Sequence, residues 1–244
     1  MTVLAGVSGW LRSRDTETAE WMDDPDCDLP TLLRTYAHFR IVNAVVAGWR
    51  LTYLTELKPR FTGTSHTLLD IGTGGGDVVR ALARLARRDG VRLDITAIDP
   101  DPRAAAYVDS LPATDGIRYR RASSADLVTE GAKFDFVISN HVLHHLSARE
   151  LGAVLADSER LASVLAVHSD IRRTRLGYVL YSVITGIFFH RSFVRDDGLI
   201  SIRRSYLTRE LDAVLPVRWM ARSQPLWRTL AVFEPAATTT AQPN

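Results

Sequence analysis

Leu68-Leu69-Asp70-Ile71-Gly72-Thr73-Gly74-Gly75-Gly76-Asp77 is the stretch on which the reading of the chain turns. Residues 68–71 form a short apolar run suited to a buried strand, with Asp70 at its carboxyl side. Gly72, Gly74 and Gly76 let the backbone turn tightly and approach a ligand closely. A helix is expected from about Val78, and its first N–H groups have no partner within the helix, so they face whatever sits on the loop. The spacing Gly72-x-Gly74-x-Gly76 is not the Gly-x-Gly-x-x-Gly that places a pyrophosphate on a helix terminus. An acid just ahead of the glycines repels a pyrophosphate and suits a cationic or amino-acid-bearing ligand.

The 244 residues are 46% hydrophobic, enough for one globular domain with a sizeable core and some elaboration. A net charge of +2 with scattered arginines gives no basic groove, so nucleic acid is not an expected partner. One cysteine, Cys27, excludes an intrachain disulfide and reads as an exposed bystander thiol. No basic region leads into an apolar run and a cleavage site, and no apolar run approaches ~18 residues. A cytoplasmic protein without a transmembrane segment is the expectation.

Outward from the glycine loop, short apolar strands alternate with helices. Strands are expected at residues 67–71, 92–98, 117–121, 134–139 and 163–167, and helices at 78–88, 103–110 and 148–161, the last capped by Ser147. This rhythm predicts an α/β fold: a Rossmann-like, mostly parallel, seven-stranded sheet with helices on both faces. The last two strands, 218–221 and 226–233, form a hairpin behind a helix at 205–215. Ahead of the sheet, residues 31–57 read as strongly helical, with Leu32, Tyr36, Phe39, Asn43 and Val46 on one face. The acids Asp23, Asp24, Asp26 and Asp28 read as a solvated loop, Asp28 capping the helix that starts near Pro30. Residues 1–60 are thus an N-terminal helical cap and 61–235 the main domain. Within it, 170–204 is an insertion crowded with apolar residues, expected to be buried on several sides and to turn at Asp197-Gly198. Residues 236–244 are expected to be a disordered tail.

Ligands of parallel sheets bind beyond the carboxyl ends of the strands, so residues there carry the chemistry. Asp99 follows the second strand and is placed to accept hydrogen bonds from a ribose diol. Asn140, His141, His144 and His145 follow the fourth. With Asp70, this set points to S-adenosyl-L-methionine, whose methionine part carries an ammonium, with S-adenosyl-L-homocysteine as product.

The run through Asp77, then Ile98-Asp99-Pro100, then residues 134–140 leading into Leu143-His144-His145-Leu146, resembles class I S-adenosylmethionine-dependent methyltransferases. The likeness covers about residues 66–168. It is greatest to the ubiquinone/menaquinone biosynthesis methyltransferase group, and the cap and insertion resemble bacterial secondary-metabolite methyltransferases, some of them in antibiotic pathways. The resemblance implies that Asp70, Gly72, Thr73, Gly74, Gly76 and Asp77 wrap the methionine part and that Asp99 and Pro100 meet the ribose. It also implies that Ser124 and Asp126 approach the adenine, and that Asn140 and His141 lie beside the methyl donor.

The acceptor is less explicit. A small molecule methylated on a hydroxyl or carboxylate oxygen is the first reading. Carbon, nitrogen or sulfur acceptors stay open, as do a non-catalytic S-adenosylmethionine-binding protein and a dehydrogenase. His141 leaves the strand at the pocket mouth and is the first candidate for base or substrate orienter, with His144 behind it. Tyr36, Phe39, Asn43, His168, Asp170, Arg172, Tyr178 and Tyr181 are the candidate substrate contacts. The insertion's arginines, Arg172, Arg173, Arg175 and Arg191, either bind an acidic group or keep the segment soluble. No metal is expected, because the histidines lack an acidic partner at ligand spacing. The insertion reads as a lid, a homodimer contact or a membrane-surface patch, leaving monomer and homodimer both open.

Overall fold

Seven strands form a single sheet in the order β3-β2-β1-β4-β5-β7-β6. The structure, a computed structural model, describes residues 11–189 and 191–236, with only the backbone at 44–46. The strands are β1 Ser65–Ile71, β2 Arg92–Ile98, β3 Ile117–Arg120, β4 Phe134–Asn140, β5 Ala162–Ile171, β6 Trp219–Gln224 and β7 Arg228–Phe233. β1 to β5 are parallel, and β7 is antiparallel to both β5 and β6. β1 lies between β2 and β4, so the chain reverses its direction of winding there and leaves a crevice at the carboxyl ends of those strands.

Alternation along β1 explains the two cores. Leu68 faces one side, with Leu82, Ile95, Phe136 and Val167; Leu69 faces the other, with Val137, Leu155, Leu161 and Phe233. Helix α3, Asp77–Arg88, buries Val78, Val79, Leu82, Ala83 and Ala86, the spacing of a single helical stripe. Each fully buried leucine of this kind contributes roughly 1.5–3 kcal/mol. Helices α4 Pro102–Asp109, α5 Ser124–Thr129 and α6 Ala148–Leu161 complete the alternation, and a reciprocal Ser147–Glu150 capping box opens α6.

The strongly helical stretch over 31–57 is divided into two helices. Helix α1, Leu29–Val46, is capped by Asp28 as expected. Gly48 then adopts φ 66°, a left-handed conformation that ends α1 and redirects the chain into α2, Trp49–Thr52, which runs on through a wider turn at Tyr53–Leu57. Cys27 is half-buried beside Arg103, not exposed. The tail expected to be disordered lies outside the described residues, save Ala236.

The insertion forms two helices, α7 Arg175–Phe188 and α8 Val194–Arg204, followed by α9 Thr208–Val214. It is not buried on several sides: Leu176, Val183, Ile187 and Phe188 of α7 are each more than half exposed. Nor does the chain turn at Asp197. That residue is buried inside α8, where its carboxylate accepts the backbone N–H groups of Trp21 and Met22 at 2.7 and 3.0 Å. Ser205 does not cap α9, which starts three residues later. Arg173 is fully buried and pairs with Glu210 at 2.6 Å, so its charge ties the insertion to α9 and is not available to a ligand.

Gly198 sets the spacing of α7 and α8. A Cβ there would lie 2.1 Å from the Tyr181 hydroxyl oxygen, which donates to the Val194 carbonyl at 2.5 Å. Gly198→Ala therefore forces the helices apart, and a loss of about 1–3 kcal/mol is expected for such overpacking. Thermal unfolding of the variant checks this; an unchanged melting temperature would contradict the contact.

Candidate active site

The crevice opens into a cavity of about 1110 Å3 at the carboxyl ends of β1, β2 and β4. Asp70, Gly72, Thr73, Asp77, Asp99 and Pro100 line one end. The loop between β1 and α3 is fixed from beneath: the N–H groups of Gly72 and Thr73 donate to the Ile98 carbonyl at 2.9 and 3.0 Å. Gly72 has φ 70°, and a Cβ on it would stand 2.7 Å from a Val142 methyl, so only glycine fits this close approach. Gly74 and Gly76 shape the same loop without forming cavity wall.

Asp99 is anchored by both oxygens. Oδ2 accepts from the Gly74 N–H and Oδ1 from the Asp101 N–H, each at 2.9 Å. A carboxylate has about four acceptor positions. Asp99 therefore holds the glycine loop and can still take two hydroxyls from the cavity. Asp70 is the opposite case. It is 2% exposed and its Oδ1 has no hydrogen-bond partner, like the neighbouring Thr73 hydroxyl. Burial pushes its pKa up to about 8, and the charges of Asp77 and Asp99 add to this while Thr73 opposes it. A cationic N–H donor at this end would satisfy the orphaned oxygen and restore the ionised form. Burial also raises Asp77, with the nearby Asn43 amide of α1 opposing it.

Beyond β4 the chain turns sharply. His141 has φ 60°, and its N–H donates to the Ser169 carbonyl at 2.9 Å. Arg228, fully buried on β7, reaches across β5 to this turn. Its guanidinium donates to Asn140 Oδ1 at 2.9 Å, to Ser169 Oγ at 2.8 Å and to His141 Nε2. Trp49 of α2 donates to the same Asn140 oxygen at 3.0 Å. Burial and the Arg228 charge hold the His141 pKa well below that of a free histidine. With Nε2 accepting from Arg228, the imidazole is neutral and carries its proton on Nδ1.

A family model for a methyltransferase domain matches residues 68–164, a span from β1 into β5 that includes every residue of the loop, Asp99 and the β4 turn. Over residues 68–164 the chain has the sequence of a methyltransferase domain. A ubiquinone biosynthesis O-methyltransferase of Methylobacterium sp. (strain 4-46) is 34% identical over 109 residues, 40% of this chain and 41% of that protein. The mitochondrial ubiquinone biosynthesis O-methyltransferase of Arabidopsis thaliana is 30% identical over 119 residues, 48% of this chain and 35% of that protein. The chain thus aligns with less than half the length of these curated relatives. Among solved structures, the plantazolicin methyltransferase BpumL in complex with SAH superposes with a TM-score of 0.62 at 12% identity, covering 96% of this chain and 97% of that one. Human N-acetylserotonin methyltransferase with SAM gives 0.59 at 14% identity, covering 97% of this chain and 66% of that one. At these identities the likeness is one of fold.

Several expected site residues lie elsewhere. Asp126 is exposed and closes a capping box with Ser123 at the start of α5, so it caps a helix. Ser124 borders the cavity, but its hydroxyl donates to Asp157 at 2.7 Å. His168 is off the cavity: it sits fully buried between the Ser139 and Ser158 hydroxyls at 2.7 and 3.0 Å and stacks on Trp219, and burial lowers its pKa to about 4. Tyr36 packs over the glycine loop against Tyr107, and neither it nor Tyr178 forms cavity wall. Phe39, Asn43, Arg172 and Tyr181 do line the cavity, joined by Ile184 and Phe188 of α7.

His144 lines the cavity yet is not free to exchange protons. Its Nδ1 meets Asp170 Oδ1 at 2.7 Å and its Nε2 meets Glu20 Oε1 at 3.2 Å. Burial disfavours its charge, but the two carboxylates outweigh burial and raise its pKa to about 9. Asp170, which also accepts the His144 N–H at 2.9 Å, is itself held well below the usual carboxylate range: burial works against ionisation and the His144 charge overcomes it. Asp170 is a structural partner here, and no substrate contact.

Glu20, Asp23, Trp49 and Arg228 complete the site and carried no local signal strong enough to single them out. Glu20 is buried, whereas Asp23, exposed like Asp24, Asp26 and Asp28, pairs with His145 at 3.0 Å. Arg228 had the best clue, a lone charge heading an apolar strand.

Proposed function

We propose that this chain transfers the methyl group of S-adenosyl-L-methionine to a small hydrophobic molecule, most directly to a hydroxyl or carboxylate oxygen of an aromatic or polyketide-like metabolite. The observation that carries this reading is the cleft's division into a cradle of acids and an apolar remainder. Asp99 is poised for a diol and orphaned Asp70 for an ammonium. Phe39, Val42, Leu180, Ile184 and Phe188 wall the space beyond. Residues 1–60 then act as the cap and 61–235 as the catalytic domain, with 170–204 as its lid. The ubiquinone O-methyltransferase relatives support oxygen as the acceptor atom.

When bound, the cofactor supplies an electrophilic methyl on a sulfonium, and the protein's task is to place a nucleophile in line with it. Asp99 holds the ribose hydroxyls, and Asp70 with Thr73 holds the amino group. Asn140 and His141 are locked by Arg228 at the cavity wall. His141 presents Nδ1–H, a donor that orients an acceptor oxygen; as a base it would first have to release Arg228. The apolar lid excludes water from the transfer. Among the described residues no helix is long and apolar enough to cross a membrane, and a cytoplasmic place in secondary or quinone-like metabolism is part of this proposal.

Calorimetry with S-adenosylhomocysteine is expected to give saturable one-to-one binding, with no heat from NAD. Absence of S-adenosylhomocysteine binding would reject the reading. Mass spectrometry of phenolic and carboxylate acceptors incubated with enzyme and cofactor then reads a methyl gain.

A further inference from the structure

The sequence offered two adjacent histidines without an acid to join them, and the fold brings one from far away. Glu20, from the segment ahead of α1, reaches the turn after β4, 124 residues along the chain. Its Oε1 lies 3.2 Å from His144 Nε2 and 3.8 Å from His145 Nε2. Two ligand atoms each about 2.1 Å from one tetrahedral ion stand about 3.4 Å apart, so these separations need only a few tenths of an ångström of adjustment. All three residues line the cavity.

The far sides of both rings are also occupied. His144 Nδ1 meets Asp170 at 2.7 Å, and His145 Nδ1 meets Asp23 at 3.0 Å. A carboxylate behind a histidine fixes which ring nitrogen carries the proton, leaves the other as a lone pair, and raises its basicity; metal-binding histidines are held this way. The Ser201 hydroxyl orients Glu20 at 2.7 Å. A purely structural ion pair accounts for Glu20 and His144. His145 has its own partner in Asp23, yet its ring lies 4.3 Å from that of His144 and also turns Nε2 to the Glu20 carboxylate, at 3.8 Å. One divalent ion would use a lone pair from each ring and from the carboxylate, whose ligand atoms all lie within 4.8 Å of one another.

We propose that Glu20, His144 and His145 bind a divalent transition ion of the zinc type at the cavity wall, with Asp170 and Asp23 fixing the two histidines. Two imidazoles and one carboxylate suit zinc, cobalt or iron, and disfavour magnesium, which prefers oxygen ligands. Three protein ligands leave a position open towards the cavity. Given the methyl-transfer reading, on which this role alone rests, an acceptor hydroxyl bound there becomes more acidic and is held as the nucleophile. The bond formed is oxygen to ion, and the hydroxyl proton passes to solvent or buffer.

The test is a titration of the full, chelator-stripped chain with Co2+, read by visible ligand-field absorption, and with Zn2+ by competition against a chromophoric chelator. One equivalent of each is expected to bind. His145→Ala removes a ligand at a partly exposed position and should weaken binding at least about thirtyfold. Asp23→Asn should weaken it by about 10–100-fold, the usual effect of losing a residue behind a ligand. Glu20→Gln is a third arm, and circular dichroism melts confirm that each variant folds. No cobalt absorption with wild type, or equal affinity in wild type and His145→Ala, overturns the site. Calorimetry with S-adenosylhomocysteine on the same samples separates the two readings: cofactor binding without the ion sinks the metal site alone, and ion binding without cofactor sinks the methyl-transfer reading alone.

Discussion

Asp99→Ala is expected to weaken S-adenosylhomocysteine binding at least a hundredfold. A hydrogen bond to a charged group contributes about 1.5–3 kcal/mol, and a ribose diol offers two donors to this carboxylate. Their combined loss of about 3 kcal/mol or more corresponds to roughly two powers of ten in affinity. The substitution also frees the Gly74 N–H and the Asp101 N–H, which Asp99 holds at 2.9 Å, so the loop loses an anchor as well. Asp99→Asn keeps one acceptor oxygen and should fall between the two. Calorimetry reads both, and an Asp99→Ala affinity within threefold of wild type would remove this residue from the cofactor site.

Asp170→Asn should produce the largest loss of stability of any substitution considered, about 3 kcal/mol. Breaking a buried ion pair costs about 3–5 kcal/mol, and the lower end applies because Glu20 still touches the far side of His144. For a chain of this size that is a fall of roughly 6–12 °C in melting temperature. The effect depends on pH in a defined way. His144 has a folded pKa raised to about 9, so its contribution is fully present below the unfolded value of about 6.5 and is lost as pH rises through 9. Asp170 has a lowered folded pKa, so its contribution is present above about 3.9 and is lost only as pH falls further. The gap between wild type and variant is therefore widest from about pH 4 to 6.5 and narrows by pH 9.5. Denaturant melts in the presence of a chelator measure it. A gap that grows towards pH 9.5 would contradict a charged His144.

The central fold was legible because its signals are local. Apolar runs of strand length, helices with caps such as Ser147, and the glycine loop each announce themselves within ten residues. The cleft was most legible at strand ends, at Asp70, Asp99, Asn140 and His141, and less so on the helices, where Phe39, Asn43 and Tyr181 line it but Tyr36 and Tyr178 do not. The rest depends on distance along the chain. His168 and Asp170 share one face of β5, yet His168 is spent on Ser139 and Ser158 and Asp170 on His144, partners that no local pattern announces. The crowded apolar residues of α7 suggested burial on several sides, whereas half of that helix faces solvent and the other half the cavity. Glu20 was one acid among several, and nothing near it in the sequence foretells His144.

Arg228 carries a consequence for the order of assembly. It grips Asn140 across 88 residues of chain, from a strand that enters the sheet antiparallel, beside β5. Contacts so remote close late in folding, because the entropy of the intervening loop must first be overcome. The parallel core from β1 to β5 can therefore form with its glycine loop in place while the β4 turn is still unset. On this view the β4 turn is the last part of the cleft to set, and a chain shortened before β6 would lose the clamp on it together with Leu230, Ala231, Val232 and Phe233 from the two cores.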